Sequence, residues 1–212
     1  MLRTNASILG FLFEARQMGE APDDTIGRIN HALEAKAGRF EALHLDIEDG
    51  SFVPYTSFTP AMTHGIRFRG RREAHLMVLD YKRHIRDFFA EADTFIVHQE
   101  ALSDDFPDTA ASLRKVGKSV GIAISPETGV SVIRHLDVMD VVLVMSVNPG
   151  MPGQAFIEDS LRKIRELAGL REEHKYRYAI EVDGGIDDKI ASRCGDAGAD
   201  AVVMGSHLFG SM

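Results

Sequence analysis

The 212-residue chain has no tryptophan, one cysteine, seven prolines and a shortage of positive charge, with 24 Lys and Arg against 32 Asp and Glu. A lone cysteine, Cys194, excludes an intrachain disulfide and a disulfide scaffold, so a reducing compartment, the cytoplasm, is expected. The formal net charge of −8 excludes a nucleic-acid surface, because neutralising phosphates takes an excess of Lys and Arg. Any phosphate contact has to be local. No apolar run approaches the roughly 18–20 residues that cross a bilayer, so no membrane partner is expected. The apolar stretch from Ala6 to Phe13 lacks a basic leader and a small-residue cleavage site and runs straight into Glu14, so it reads as a first strand and not as a signal. Pro/Gly/Ser-rich linkers and low-complexity tracts are also missing. Residues 1–212 therefore read as a single domain, with the ordinary composition of a soluble globular protein at 44% hydrophobic and 26% charged.

What is present alternates. Asp23-Asp24-Thr25 offers helix caps ahead of Ile26, Ile29 and Leu33, whose spacing puts them on one helical face. Further apolar runs end near Asp46, Met77, His98, Ile124, Met145, Val182 and Gly205, and amphipathic stretches lie between most of them. With the first, they make eight strands. Runs such as Val141-Val142-Leu143-Val144 are apolar throughout, as parallel strands buried on both faces require. The fold class is α/β, and eight repeats favour a single-domain (β/α)8 barrel over an open doubly wound sheet. Only Ser206 to Met212 follow the last strand, too few for a full closing helix. Either that helix is absent or a neighbouring subunit covers the face, and a homo-oligomer is expected.

In such a barrel the chemistry sits at the carboxyl ends of the strands, and here those ends are polar. His44 and Asp46 are two apart and so share a strand face. With His75 and Asp183 they make a two-histidine, two-carboxylate set suited to one divalent ion, zinc, iron, manganese or cobalt, and less suited to calcium. Taken singly, each has the plainer reading of a hydrogen-bonded rim residue; four together favour an ion. Asp183-Gly184-Gly185, Gly205-Ser206 and the loop Asn148 to Gln154 follow neighbouring strands. One such glycine turn means little, but three favour an anion site on backbone N–H groups.

These residues fall into motifs that span nearly the whole chain: Ser7-Ile8-Leu9, His44-Leu45-Asp46-Ile47-Glu48-Asp49-Gly50-Ser51-Phe52-Val53-Pro54, His75-Leu76-Met77-Val78, Val144-Met145-Ser146-Val147-Asn148-Pro149-Gly150, Gly153-Gln154-Ala155-Phe156, Glu181-Val182-Asp183-Gly184-Gly185-Ile186 and Gly205-Ser206. In order and spacing the chain resembles the ribulose-phosphate 3-epimerase family. The resemblance implies a carbohydrate isomerase that interconverts ketose phosphates of the ribulose 5-phosphate and xylulose 5-phosphate type. It implies a metal held by His44, Asp46, His75 and Asp183, with Asp46 and Asp183 also the acid and base. Ser7 and His75 would touch the sugar, and Gly150, Gly153, Gly184, Gly185, Gly205 and Ser206 would surround the phosphate. Met77 and Met145 would line the pocket.

Departures from the family pattern surround the substrate rather than the metal. Glu48 stands where the family has a methionine, and there it can bind a substrate hydroxyl, shift an aspartate's pKa or turn outward. Gly10 and Leu12 replace a small polar residue and an aspartate, and Pro152 replaces a glycine. An epimerase for a hexulose or tetrulose phosphate therefore stays open, as does a non-catalytic sugar-phosphate binder, although intact Asp46 and Asp183 speak against the latter. A Schiff-base aldolase or a decarboxylase on the same barrel is disfavoured, since no lysine ends an inner strand and no Asp-x-Lys-x-x-Asp run occurs.

Overall fold

A computed structural model describes residues 2–210. Its eight parallel strands are β1 (Arg3–Ser7), β2 (Ala42–Glu48), β3 (Arg71–Met77), β4 (Thr94–His98), β5 (Ser119–Ile124), β6 (Val141–Met145), β7 (Ala179–Asp183) and β8 (Ala201–Met204). Each pairs with the next and β8 returns to β1, closing the barrel and setting aside the open sheet. Around it lie α1 (Leu9–Met18) and α2 (Pro22–Ala35), both before β2, then α3 (Pro60–His64), α4 (Tyr81–Asp87), α5 (Phe106–Lys115), α6 (Ser160–His174), α7 (Asp188–Ala197) and α8 (Ser206–Phe209). Two 3-10 turns, Val130–Val132 and Leu136–Val138, stand between β5 and β6. Among the described residues, no helix is long and apolar enough to cross a membrane.

The first strand is shorter than its apolar run suggests. It ends at Ser7, and a helix begins at Leu9. Ile8, Phe11, Leu12 and Ala15 recur at helical spacing and are all buried, so the run is a strand end followed directly by one helix face. Gly19, at φ 65, ends α1 with its N–H on the carbonyls of Ala15 and Arg16. Asp23 and Asp24 do not cap the next helix. It starts one residue earlier, at Pro22 behind Ala21, and the two aspartates lie in its first turn, where their charge complements the helix dipole.

Alternation along the strands then sorts the side chains. On β2, Leu43, Leu45 and Ile47 join the large core between barrel and helices, while His44, Asp46 and Glu48, buried as well, take the inner face. Truncating an outward residue such as Leu45 to alanine should cost about 2–5 kcal/mol. Inside, the barrel is divided. Ile96, Ala123, Leu143 and Met145 from β4, β5 and β6 form a small apolar cluster with Val147, whereas β1, β2, β3 and β7 contribute Asn5, Ser7, His44, Asp46, Glu73, His75, Glu181 and Asp183. The polar half is where a site can be built. After β8 the described residues form the short α8, and Phe209 on it meets Phe11 of α1 edge-on with ring centroids 5.4 Å apart.

Candidate active site

β2 carries His44 and Asp46 into the barrel, β3 sets His75 directly opposite Asp46 in the ladder, and Asp183 ends β7. One ligand atom from each lies within 4.8 Å of all the others. Asp46 Oδ1 is 3.4 Å from His44 Nε2 and 3.2 Å from His75 Nδ1, and Asp183 Oδ2 is 3.9 Å from both nitrogens. His44 Nδ1 is engaged by Glu73 Oε1 at 2.8 Å, yet its Nε2 is buried and makes no hydrogen bond. An orphaned imidazole nitrogen facing two carboxylates and a second imidazole fits a divalent ion that accepts mixed nitrogen and oxygen donors. The four residues can therefore hold one.

The two aspartates differ in environment. Burial alone would raise Asp46, but His44 and His75 outweigh it and hold its carboxyl well below the usual range. Burial pushes Asp183 up to about 7, and the neighbouring Asp46 charge adds to the rise. His44 is disfavoured as a cation by burial, an effect that Asp46 and Glu73 reverse, so its pKa is raised. His75 goes the other way: burial lowers it to about 4 despite its contact with Asp46.

Behind this cluster is a layer that sequence reasoning missed. Asn5 Nδ2 donates to Glu73 Oε1 at 3.0 Å and to Glu181 Oε1 at 2.6 Å. Burial and the Glu73 charge raise Glu181 well above the usual range, while hydrogen bonding from His44 overcomes burial to hold Glu73 down. On the other side, His75 Nε2 is 2.9 Å from His98 Nε2 and His98 Nδ1 is 3.1 Å from Glu100 Oε2. Burial opposes ionisation of Glu100, but hydrogen bonds from His98, Thr128 and the Ser125 N–H bring it to about 2. A sequence signal exists for three of these residues. Asn5, Glu73 and Glu181 each stand two positions before a site residue, so the inward face simply continues deeper into the barrel.

Above the cluster opens a cavity of about 430 Å³ whose walls include Ser7, Asp46, Asp183, Met77 and Met145. Gly150, Gly153, Gly184, Gly185, Gly205 and Ser206 lie on the same walls, so every expected phosphate and lining residue meets there. His44 and His75, fully buried, lie beneath. Ser7 Oγ donates to Asp46 Oδ2 at 2.7 Å. Ser146 Oγ donates to the carbonyls of Asp183 and Gly184 at 2.9 and 2.7 Å, fixing the turn. Gly185 has φ 65, and a Cβ there would fall 2.6 Å from the Phe156 backbone nitrogen, so only glycine lets these two loops meet.

Glu48 does not turn outward. It is 4% exposed, and both carboxylate oxygens are buried without a hydrogen-bond partner. Its backbone is pinned by Ser57, whose Oγ accepts from Glu48 N at 2.7 Å and donates to Asp46 O at 2.6 Å. Burial first, then the charge of Asp46, pushes its pKa up to about 8. It does not line the cavity, although Met77, its partner in the ladder, does.

Known proteins resemble the chain over most of its length. The profile of the "Ribulose-phosphate 3 epimerase family" matches residues 24–209. Over 174 residues, the chain is 37% identical to the chloroplastic ribulose-5-phosphate-3-epimerase of Arabidopsis thaliana, covering 80% of this chain but 62% of that one. It is 36% identical over 186 residues to ribulose-phosphate 3-epimerase of Bacillus subtilis strain 168, covering 85% of each. To the enzyme of that name from Treponema pallidum it is 39% identical over 181 residues, 84% of this chain and 82% of that one. Among solved structures, orotidine 5'-monophosphate decarboxylase from Sulfolobus solfataricus superposes with TM-score 0.59 at 12% identity, covering 97% of this chain and 89% of that one. For 3-hexulose-6-phosphate synthase from Salmonella typhimurium the values are 0.58 and 13%, with 97% and 90% covered. At such identities these two structures speak for the barrel alone.

Proposed function

Because the chain belongs to the ribulose-phosphate 3-epimerase family, we propose that it inverts C3 of a ketose phosphate, with ribulose 5-phosphate to xylulose 5-phosphate as the reference reaction. The observation that carries this reading is the convergence of Asp46 and Asp183, with His44 and His75, on the floor of a cavity rimmed by glycine loops.

A proton α to a ketone is too weakly acidic for a carboxylate unless the enediolate left behind is stabilised. His44, Asp46, His75 and Asp183 would hold a divalent ion, whether zinc, iron, manganese or cobalt, and it would supply that stabilisation when bound. One aspartate takes the C3 proton from one face of the sugar and the other returns a proton to the opposite face. In the reverse direction they exchange roles. In the metal-free cluster their environments already differ, Asp46 being held down by His44 and His75 and Asp183 pushed up to about 7 by burial. Ser7, anchored on Asp46 and set on the cavity wall, meets the sugar, while His75, expected there as well, is fully buried beneath that wall and is left to the cation. Met77 and Met145 keep water from the reacting carbon, and the backbone around Gly150, Gly153, Gly184, Gly185, Gly205 and Ser206 binds the phosphate, which orients C3 between the acids.

Glu48 sets which ketose phosphate is accepted. A buried carboxyl with no partner costs about 1–3 kcal/mol, and a substrate hydroxyl that reaches it would remove that cost. The cytoplasm fits a single buried free thiol, Cys194.

The test is a panel of pentulose, hexulose and tetrulose phosphates incubated with metal-loaded wild type and with Glu48→Met, the C3 epimers being resolved by NMR. Epimerisation of at least one member is expected, with a changed preference in Glu48→Met. Turnover of none refutes the activity, and an unchanged profile makes Glu48 a bystander.

A further inference from the structure

His75 has two ring nitrogens, and only one faces the ligand cluster. Nδ1 lies 3.2 Å from Asp46 Oδ1, and Nε2 lies 2.9 Å from Nε2 of His98. Two imidazole nitrogens at that separation share a single hydrogen, so one ring donates and the other accepts. The far end of His98 decides which. Its Nδ1 is 3.1 Å from Glu100 Oε2 and 3.4 Å from Ser125 Oγ. An ionised carboxylate offers only lone pairs, so the hydrogen of a neutral His98 sits on Nδ1. His98 Nε2 is then bare and accepts from His75 Nε2–H. With a divalent cation in the cluster, that leaves the His75 Nδ1 lone pair to face it; without one, Nδ1 and Nε2 compete for the ring hydrogen, because Asp46 Oδ1 is 3.2 Å away.

Glu100 is itself held in place. It accepts from the Ser125 N–H at 2.9 Å and from the Thr128 hydroxyl. The Ser125 and Thr128 carbonyls accept from Lys163 Nζ at 3.0 and 2.8 Å, and Lys163 is 2% exposed on α6. His98 is fully buried, its ring 4.6 Å from that of Phe52 and 5.0 Å from that of His75. The hydrogen-bond direction is thus set from an outer helix through the loops after β4 and β5 to the cluster.

We propose that His98 and Glu100 are positioning residues for His75, fixing the tautomer in which Nδ1 is free to ligate a divalent cation. This rests on reading His44, Asp46, His75 and Asp183 as a metal site. His44 is oriented in one step by Glu73; His75 needs two, because its outward nitrogen meets a second imidazole before a carboxylate. Carboxylate partners behind metal-bound histidines typically change affinity about 10–100-fold when removed.

The experiment uses full-length protein labelled with 15N at histidine, zinc as the probe, and affinity measured by competition with a chromophoric chelator. In zinc-loaded wild type, His75 should carry its hydrogen on Nε2 and His98 on Nδ1, with the His75 Nδ1 resonance shifted from its metal-free position. His98→Phe keeps a ring beside Phe52 but has no acceptor, and its zinc affinity should fall about 10–100-fold. His98→Gln, whose side-chain carbonyl can accept from His75 Nε2–H, should restore binding to within about tenfold of wild type. Melting curves identify any variant that fails to fold, in which case the wild-type tautomers decide alone. A hydrogen on His75 Nδ1 in the zinc-loaded protein, or zinc binding undiminished in His98→Phe, overturns the inference. Wild type that binds no zinc overturns the metal site along with it.

Discussion

Asp46 Oδ1 approaches His75 Nδ1 to 3.2 Å, while Asp183 Oδ2 stays 3.9 Å from the same atom. Two carboxylates at the ends of β2 and β7 thus share a pair of histidines unequally. Asp46 also accepts from Ser7 and is fixed as an anion. Asp183, closed in by the barrel and facing the Asp46 charge, is easier to protonate.

From this inequality, Asp183→Asn should fold and abolish epimerisation, a loss of at least about 10²–10⁴-fold in kcat as expected for removing a proton-transfer group. Steady-state kinetics on zinc-loaded protein checks it. Retention of activity within tenfold would remove Asp183 from the acid–base pair.

A second prediction concerns pH and the metal-free protein. Asp183 is pushed up to about 7 from 3.8 and Glu48 to about 8 from 4.5. Within those intervals the folded state keeps protons that the unfolded state has released, so stability falls as pH rises from about 4 to 7 through Asp183 and from about 4.5 to 8 through Glu48. Glu48→Gln removes the second contribution. Its melting temperature should exceed that of wild type at pH 8.5 by more than at pH 5, each kcal/mol being worth roughly 2–4 °C in a chain of this size. An equal shift at both pH values contradicts the buried, unpaired carboxyl.

The convergence of His44, Asp46, His75 and Asp183 was legible in the sequence because the period of a strand is two. His44 and Asp46 had to share a face, and the polar strand ends had to meet at one mouth. The glycine loops were legible for the same reason. The layer beneath was not, because what Asn5, Glu73 and Glu181 do depends on the register of β1, β3 and β7, which bonds residues far apart in the chain. His98 was visible as a strand end, but its partner Glu100 lies in the following 3-10 turn, outside any strand pattern. The run from Ala6 to Phe13 misled for a local reason: a strand end and a buried helix face abut without a polar break.

Metal removal gives a third prediction. A ligand that binds only the folded state stabilises it by about 2.7 kcal/mol at a hundredfold excess over its Kd, roughly 5–10 °C here. Chelation should therefore lower the melting temperature by that order and abolish turnover, and zinc, manganese, cobalt or ferrous iron should restore both. A melting temperature indifferent to chelator and to added metal speaks against the site.

Gly185→Ala tests the proposal that the glycine loops bind the phosphate. The added Cβ would meet backbone at Phe156 and Gln154, at 2.6 and 2.8 Å, in a conformation of φ 65. One loop has to move, so KM for the accepted ketose phosphate should rise at least about tenfold as substrate positioning is lost. An unchanged KM in a folded variant would detach Gly185 from substrate binding.

The most direct measurement is isotopic. Zinc-loaded protein incubated with ribulose 5-phosphate in deuterated water, and with hexulose and tetrulose phosphates in parallel, should incorporate one deuterium at C3 of at least one sugar, with none in Asp183→Asn. Absence of C3 deuterium from every ketose phosphate, in protein shown to bind zinc, would contradict proton transfer between Asp46 and Asp183.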